Sequence, residues 1–126
     1  MHALVLDDSK PIRSILTGIL VEIGFTVDVA TNGLEGMELI KKEKVDVALV
    51  DWNMPEMNGC EFVQEVRKDD TYKDMRMIMV TTETAINKVA KALEAGADEY
   101  IMKPFTKEMI VEKLALMGID TSIASK

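Results

Sequence analysis

The sequence predicts an open α/β fold, in which helices cover both faces of a mostly parallel sheet. Short apolar runs alternate along the chain with longer segments whose apolar residues recur with a helical period. Two runs, Val45 to Val50 and Met77 to Val80, are almost continuously apolar, which is typical of central strands covered on both faces. Strands and helices that alternate at this spacing imply right-handed crossovers. With 126 residues, the chain is far too short for an eight-unit barrel.

Five short segments are expected to form the strands of this sheet. They are bounded by turn residues and are rich in β-branched or other apolar side chains. In chain order they are Ala3 to Leu6, Phe25 to Ala30, Val45 to Val50, Met77 to Val80 and Glu99 to Met102.

Five helices are expected between and after these strands. The first is the clearest, because one stripe carries the apolar residues Ile12, Ile15, Leu16, Ile19, Leu20 and Ile23. Ser9 is a candidate N-cap for it, with Pro11 in its first turn and Gly24 after its end. The second opens with the capping-box spacing of Asn32 to Glu35. The others are predicted at Cys60 to Lys68, at Thr84 to Ala95 before Gly96, and at Lys107 to Met117 after the candidate cap Thr106.

Composition indicates one domain, at residues 1–118, followed by a tail at 119–126 that is expected to fray. The 15 basic and 22 acidic residues give a formal net charge of -7, which disfavours binding to nucleic acid or anionic lipid. The single Cys60 cannot form an internal disulfide, and there is no membrane-spanning run or basic leader. A cytoplasmic protein with protein or cation partners is the expectation.

Polar residues follow four of the five predicted strands. Asp7 and Asp8 follow the first, Asp51 the third, Thr81 and Thr82 the fourth, and Lys103 with Pro104 the fifth. In open α/β sheets, ligands bind beyond the carboxyl ends of the strands, so we expect these side chains to converge.

Three converging carboxylates repel one another unless a cation lies among them. Oxygen ligands without His or Cys select Mg²⁺, Ca²⁺ or Mn²⁺ over Zn²⁺, and a few carboxylates with retained waters favour Mg²⁺. A lysine opposite them suits a phosphoryl oxygen. Each residue alone has a simpler interpretation: Asp7, Asp8 or Asp51 as a cap or turn residue, Thr81 as an edge hydroxyl, Lys103 as a solvated lysine. Together they favour a site.

At these positions the sequence resembles the receiver domains of two-component response regulators, from Met1 to about Met117. The matching residues are Asp7-Asp8, the run Asp51-Trp52-Asn53-Met54-Pro55 with Gly59, Thr81, and Lys103-Pro104-Phe105. The Asp-Trp-Asn-Met-Pro run and Tyr100 are similar to the chemotaxis branch of that family. The resemblance implies a doubly wound, flavodoxin-like sheet of five parallel strands in the order 2-1-3-4-5.

The resemblance also implies roles. Asp51 would accept a phosphoryl group from a sensor histidine kinase or phosphotransfer protein. Asp8, Asp51 and the backbone carbonyl of Asn53 would hold Mg²⁺, with Asp7 acting through water. Lys103 would neutralise charge on the transferring oxygens. The peptide bond between Lys103 and Pro104 would be cis. The chain would be a self-phosphorylating switch with slow autodephosphorylation rather than an enzyme.

In the family, a switch follows phosphorylation: the hydroxyl of Thr81 moves toward the phosphoryl group and the aromatic ring at Tyr100 turns inward. An output protein would then bind the face formed by helix four, strand five and helix five, and the chain would be a monomer or weak dimer. Asn53, Thr82 and Glu83 would tune the phosphoryl lifetime. Thr82 departs from the smaller residue common in the family.

Other functions remain open. A phosphatase of the haloacid dehalogenase type would require Asp-x-Asp, but Ser9 stands two residues after Asp7. A flavin carrier would need a phosphate loop where Asp7 and Asp8 instead repel phosphate. Within the receiver class, the chain could be a single-domain regulator, a module detached from a longer regulator, or a phosphorelay intermediate. The single histidine, His2, is expected to be a solvated terminal residue that is not placed for metal binding.

Overall fold

The computed structural model describes residues 1–52, 54, 56–82 and 86–119. Its strands are β1 (His2–Leu6), β2 (Thr26–Ala30), β3 (Val47–Asp51), β4 (Arg76–Thr82) and β5 (Glu99–Lys103). Its α-helices are α1 (Lys10–Glu22), α2 (Gly33–Lys42), α3 (Gly59–Arg67), α4 (Ile86–Ala95) and α5 (Lys107–Leu116). A short 3-10 helix at Asp70–Tyr72, which the sequence did not predict, links α3 to β4.

The five strands form one parallel sheet in the order β2-β1-β3-β4-β5. The fold class, the strand order and the alternation of strands with helices are therefore as predicted. Most predicted boundaries lie within two residues of those observed. One shift matters for the site: β3 ends at Asp51, so this residue is the last of its strand rather than the first of the following turn.

Side chains of the strands alternate between two separate cores, because successive residues of a strand point to opposite faces. Leu4 and Leu6 of β1 pack with residues of α2 and α3, and Ala92 of α4 belongs to the same cluster. Ala3 and Val5 pack instead with residues of α1 and α5. The sheet thus separates a layer of α2, α3 and α4 from a layer of α1 and α5.

Local signals set the helix ends. The side chains of Ser9, Asn32 and Thr106 accept hydrogen bonds from backbone N–H groups in the first turns of α1, α2 and α5, as predicted. Gly96 follows α4 with φ 122°, a conformation that other residues rarely adopt. Asn58 and Glu61 form a capping box at the start of α3 that the sequence prediction missed.

Arg67, at the end of α3, ties four segments together. Its guanidinium donates hydrogen bonds to the carbonyls of Gly96, Tyr72 and Met75 and to the carboxylate of Asp98. Asp98 in turn accepts from the backbone N–H of Met77 in β4. The ends of α3 and α4 are thereby fixed to the start of β4.

The prediction that His2 is a solvated terminal residue is wrong. His2 opens β1 and pairs in register with Thr26 of β2, which draws its ring into the fold. Its side chain is only 13% exposed, and both ring nitrogens lie within hydrogen-bond distance of neighbours, Thr26 and Asp28.

The end of the chain was predicted to be a tail from residue 119. Ile119 is buried, and its backbone N–H donates to the carbonyl of Leu114. Residues 120–126 lie outside the described residues. Across the part of the chain that the structure describes, no helix is both long and apolar enough to cross a bilayer.

Candidate functional site

Five of the residues singled out from the sequence lie at the carboxyl edge of the sheet. Asp7 and Asp8 directly follow β1, Asp51 ends β3, Thr81 is the second-last residue of β4, and Lys103 ends β5. The register aligns Asp51 with Val80 and Thr82 with Lys103, so these strand ends are level. The predicted convergence is therefore present.

The residues at this edge divide between the two faces of the sheet. Asp51 is in phase with Val47 and Leu49, and Lys103 with Ile101, all of which belong to the core against α1 and α5. Thr81 is in phase with Met77 and Met79, in the core against α3 and α4, and Tyr100 packs against that same core. Charged groups and the predicted switch residues thus lie on opposite faces.

Three carboxylates form the acidic part of the site. Asp7 is 1% exposed, Asp51 is 7% exposed, and Asp8 is open to solvent. One oxygen from each lies within 4.8 Å of the others. Lys103 balances part of this charge, since its Nζ lies 3.5 Å from Asp7 Oδ2 and 3.4 Å from Asp51 Oδ1.

The pKa of Asp51 is raised from 3.8 to about 6. Burial is the largest cause, because it disfavours the charged form, and the carboxylate of Asp7 adds to it. Lys103 acts in the opposite direction, and Asp8 makes a smaller raising contribution. Any further cation that enters the cluster would therefore stabilise the charged form of Asp51.

Asp7 is fixed in place by the start of α1. Its Oδ1 accepts the backbone N–H of Ser9 at 2.9 Å, and its backbone carbonyl accepts Nη1 of Arg13 at 2.9 Å. Ser9 also caps α1. A phosphatase with the Asp-x-Asp motif would have a second aspartate at this position, whereas here the residue has a structural role. Arg13 was not predicted as a site residue, although its position one turn into α1 was the available signal.

The turn after β3 packs closely against the start of α3. A Cβ at Gly59 would lie 2.2 Å from the backbone oxygen of Asp51, and the N–H of Gly59 donates to the carbonyl of Trp52. Glu56 in this turn has φ 67°, in the left-handed region that residues other than Gly rarely adopt. Gly59 was noted only as part of a motif; its physical role is to let α3 approach Asp51.

Thr81 and Tyr100 lie on neighbouring strands. Thr81 is 4% exposed, and the half-buried Tyr100 is aligned with Met79, two residues before Thr81 in β4. Lys113 of α5 lies over the Tyr100 ring, with Nζ 4.7 Å from the ring centre, and also pairs with Glu99 at 2.9 Å. The peptide bond between Lys103 and Pro104 is cis, as the resemblance implies.

The remaining predicted positions are Asn53, Thr82 and Glu83. Asn53, predicted as carbonyl ligand and tuning residue, and Glu83, predicted as a tuning residue, lie outside the described residues. Thr82 is the last residue of β4, and its backbone is aligned with Lys103.

The donor set of the aspartate cluster fits a hard divalent cation. Asp7, Asp8 and Asp51 offer only carboxylate oxygens, which Mg²⁺ prefers and which do not favour Zn²⁺. The exposure of Asp8 leaves the cluster open to solvent on one side, where an ion could keep several of its waters.

The fold and site define a switch domain of the response-regulator type. The family model described as "Response regulator receiver domain" matches residues 3–115. The chain belongs to this family. Its members typically bind Mg²⁺ at the acidic pocket, and receivers of this type are phosphorylation switches that work with histidine kinases or phosphotransfer proteins.

Similar proteins share most of the chain's length. A chemotaxis protein CheY homolog of Campylobacter jejuni is 47% identical over 116 residues, covering 90% of this chain and 89% of that protein. Chemotaxis protein CheY1 of Helicobacter pylori is 42% identical over 119 residues, covering 93% and 96%. The structure of the chemotaxis response regulator CheY4 of Vibrio cholerae superimposes with a TM-score of 0.85 at 35% identity, covering 92% of this chain and 97% of that one.

Proposed function

We propose that this chain is a response regulator that accepts a phosphoryl group on Asp51 from the phosphohistidine of a sensor kinase or phosphotransfer protein. One observation supports this most directly: the Asp51 carboxylate is nearly buried at a strand end, 3.4 Å from the ammonium of Lys103. Asp7 shares the cluster and the lysine, but one of its carboxylate oxygens already accepts the backbone N–H of Ser9.

The transfer step exchanges one bond for another. A carboxylate oxygen of Asp51 attacks phosphorus as the bond from phosphorus to the histidine nitrogen breaks, and the electron pair returns to the imidazole, which takes up a proton. Negative charge on the transferring oxygens is largest near the transition state, where a fixed cation gives the most stabilisation. Lys103 supplies such a charge beside Asp51.

Asp8 and Asp51 would hold Mg²⁺ together with the backbone carbonyl of Asn53, and Asp7 would act through water. When bound, the ion supplies positive charge that offsets the repulsion among the carboxylates and the charge on the phosphoryl oxygens. The raised pKa of Asp51 supports this assignment, because burial, and after it the neighbouring carboxylates, disfavour the charged form more than Lys103 favours it.

The output is a change of surface rather than turnover of a substrate. The hydroxyl of Thr81 would bind a phosphoryl oxygen, and Tyr100 would repack beside it, changing the face formed by α4, β5 and α5. Asn53, Thr82 and Glu83 would set the rate of a slow autodephosphorylation. Chemotaxis is the process we infer, since the relatives from Campylobacter jejuni and Helicobacter pylori are named for it.

Phosphorylation by a small donor tests the acceptor. Purified protein is incubated with acetyl phosphate and MgCl₂, and intact mass is measured. We expect one phosphoryl group on the wild type and none on Asp51→Asn. The matched control Asp74→Asn removes an exposed carboxylate outside the site and should be modified like the wild type. Modification of Asp51→Asn to the wild-type level would refute the assignment.

A second measurement tests the surface change. Beryllofluoride, which mimics an aspartyl phosphate, is added with Mg²⁺ while backbone amide resonances are followed. We expect the largest remote shifts in β5 and α5, on the side of Tyr100. Shifts confined to the residues around Asp51 would argue against the proposed output face, even if Asp51 is the acceptor.

A further inference from the structure

A second cluster of ligating side chains lies far from the aspartate site. It consists of His2 at the start of β1, Asp28 on the edge strand β2, and Glu43 directly after α2, and each offers one ligand atom within 4.8 Å of the others. His2 and Asp28 are in phase with Leu4, Leu6 and Ala30, so both face the α2 layer. The cluster lies at the amino edge of the sheet. Asp51 lies four residues beyond Val47, the partner of Ala3, or roughly 13 Å along the strands.

Both nitrogens of the His2 ring have polar neighbours. Nδ1 lies 2.7 Å from the hydroxyl oxygen of Thr26, which also donates to the carbonyl of Met1 at 3.4 Å. Nε2 faces two carboxylate oxygens, 2.8 Å away on Asp28 and 3.5 Å away on Glu43.

Two carboxylates that face the same ring nitrogen repel each other unless a hydrogen-bond donor or a cation lies among them. A proton on Nε2 can fill this place, and so can a metal ion bound by all three groups. An outer partner on the second ring nitrogen, which here is Thr26, is the arrangement that orients metal-binding histidines in proteins.

The distances suit a tetrahedral ion. Bonds of about 2.0–2.1 Å place two ligands of such an ion about 3.3 Å apart, and the two separations from Nε2, 2.8 Å and 3.5 Å, bracket that value. The His2 side chain is 13% exposed, whereas those of Asp28 and Glu43 are 40% and 58% exposed. Solvent therefore reaches the carboxylates, which leaves a path of entry and room for a water as fourth ligand.

We propose that His2, Asp28 and Glu43 form a binding site for one divalent transition-metal ion, of which Zn²⁺ is the representative. An imidazole with two carboxylates distinguishes this site from the all-oxygen cluster around Asp51, since imidazole favours Zn²⁺, Ni²⁺ or Cu²⁺ over Mg²⁺. The ion would clamp the edge strand β2 and the end of α2 to β1. The site would be independent of phosphorylation at Asp51.

Calorimetric titration with ZnCl₂ tests the proposal on untagged protein, with Mg²⁺ in large excess to occupy the aspartate cluster. We expect one Zn²⁺ per wild-type chain and one per Asp51→Asn chain. Glu43→Gln removes one of three ligands at an exposed position and should weaken binding by about tenfold or more. Glu38→Gln, also exposed but within α2, is the matched control and should bind like the wild type. Equal affinity of Glu43→Gln and the wild type, or no binding to the wild type, would overturn the site.

The ring itself gives a second readout that needs no variant. The chain has one histidine, so its imidazole nitrogen resonances are unambiguous. We expect Zn²⁺ to shift Nε2 strongly and to leave the ring proton on Nδ1, beside the Thr26 hydroxyl. Unchanged ring resonances at a Zn²⁺ concentration that saturates the calorimetric signal would place the ion elsewhere and contradict the proposal.

Discussion

Gly59 lies so close to the backbone oxygen of Asp51 that a Cβ would approach it to 2.2 Å. Real side chains do not tolerate this distance, and the atom they would meet belongs to the backbone of the proposed acceptor rather than to a flexible side chain. The start of α3 and the end of β3 can therefore hold their present positions only with glycine at residue 59.

Gly59→Ala is expected to slow phosphorylation of Asp51 and to lower the free energy of unfolding by about 1–3 kcal/mol, since the clash forces the backbone to move. Phosphorylation rates with a small donor and denaturant unfolding measure the two effects.

Gly18→Ala is the matched control for that substitution. Gly18 lies within α1, and a Cβ there would meet nothing within 4 Å. Because alanine favours helix, the free energy of unfolding of this variant should rise by about 0.5–1 kcal/mol. Asp51 should be phosphorylated at the wild-type rate. A Gly59→Ala variant as stable and as fast as the wild type would show that the turn accommodates the extra carbon.

The raised pKa of Asp51 predicts a pH dependence of stability in protein free of divalent ions. Asp51 binds a proton more tightly in the folded chain, with pKa about 6, than at its ordinary value of 3.8. Between about pH 4 and pH 6 the folded state holds more protons than the unfolded state, so the contribution of Asp51 to stability falls as pH rises. Asp51→Asn removes this loss. We expect its free energy of unfolding at neutral pH to exceed that of the wild type by up to about 3 kcal/mol, at about 1.4 kcal/mol per pKa unit.

Urea unfolding at a series of pH values checks this prediction, with Asp74→Asn as control for the general loss of a carboxylate. The informative quantity is the difference in free energy of unfolding between each variant and the wild type, because other groups titrate in the same pH range. The difference should grow with pH for Asp51→Asn and stay flat for Asp74→Asn. Parallel profiles for the wild type and Asp51→Asn would contradict a raised pKa.

Lys113 is expected to restrain the ring of Tyr100. A cation over an aromatic ring contributes about 0.5–1 kcal/mol at an exposed site, so Lys113→Ala should increase the population of other Tyr100 rotamers by about two- to fivefold. Ring resonances report this directly, since the chain has only two tyrosines. Lys107→Ala, on the same helix but paired with Glu22, should leave the ring unchanged. Identical Tyr100 signals in both variants would show that the contact does not restrain the ring.

Arg67→Ala is expected to destabilise the protein by about 2–4 kcal/mol. It removes hydrogen bonds from three backbone carbonyls and a carboxylate, and those partners are left without their donor. Lys68→Ala, at the next residue, removes only an exposed pair with Glu65 and should cost less than about 1 kcal/mol. Thermal and urea unfolding compare the two, and similar losses in both would mean that the Arg67 bonds contribute little.

The sequence predicted the fold and the strand-end residues because both depend on local pattern. Apolar runs gave the strands, and Asp7, Asp51, Thr81 and Lys103 were already adjacent to them in the chain. Parallel strands bring their carboxyl ends to one edge, so convergence required no knowledge of distances.

Much of what the sequence did not predict depends on contacts that cross from one segment to another. Arg13 of α1 donates to the carbonyl of Asp7 before the helix, and Arg67 of α3 reaches the carbonyl of Gly96, 29 residues away. The burial of His2 was not predictable, because its partners, Thr26 and Asp28, are 24 and 26 residues away along the chain. Nothing in the residues next to His2 indicates those partners.

The division of the carboxyl edge between two faces has a consequence for how a signal moves. The charges of Asp51 and Lys103 point toward one core, and Thr81 and Tyr100 belong to the other. The sheet separates the two cores by a single layer of backbone, and the two faces meet at its carboxyl edge. In the proposed switch, the effect of a phosphoryl group on Asp51 would therefore reach Thr81 and Tyr100 around the ends of β4 and β5 rather than through the sheet.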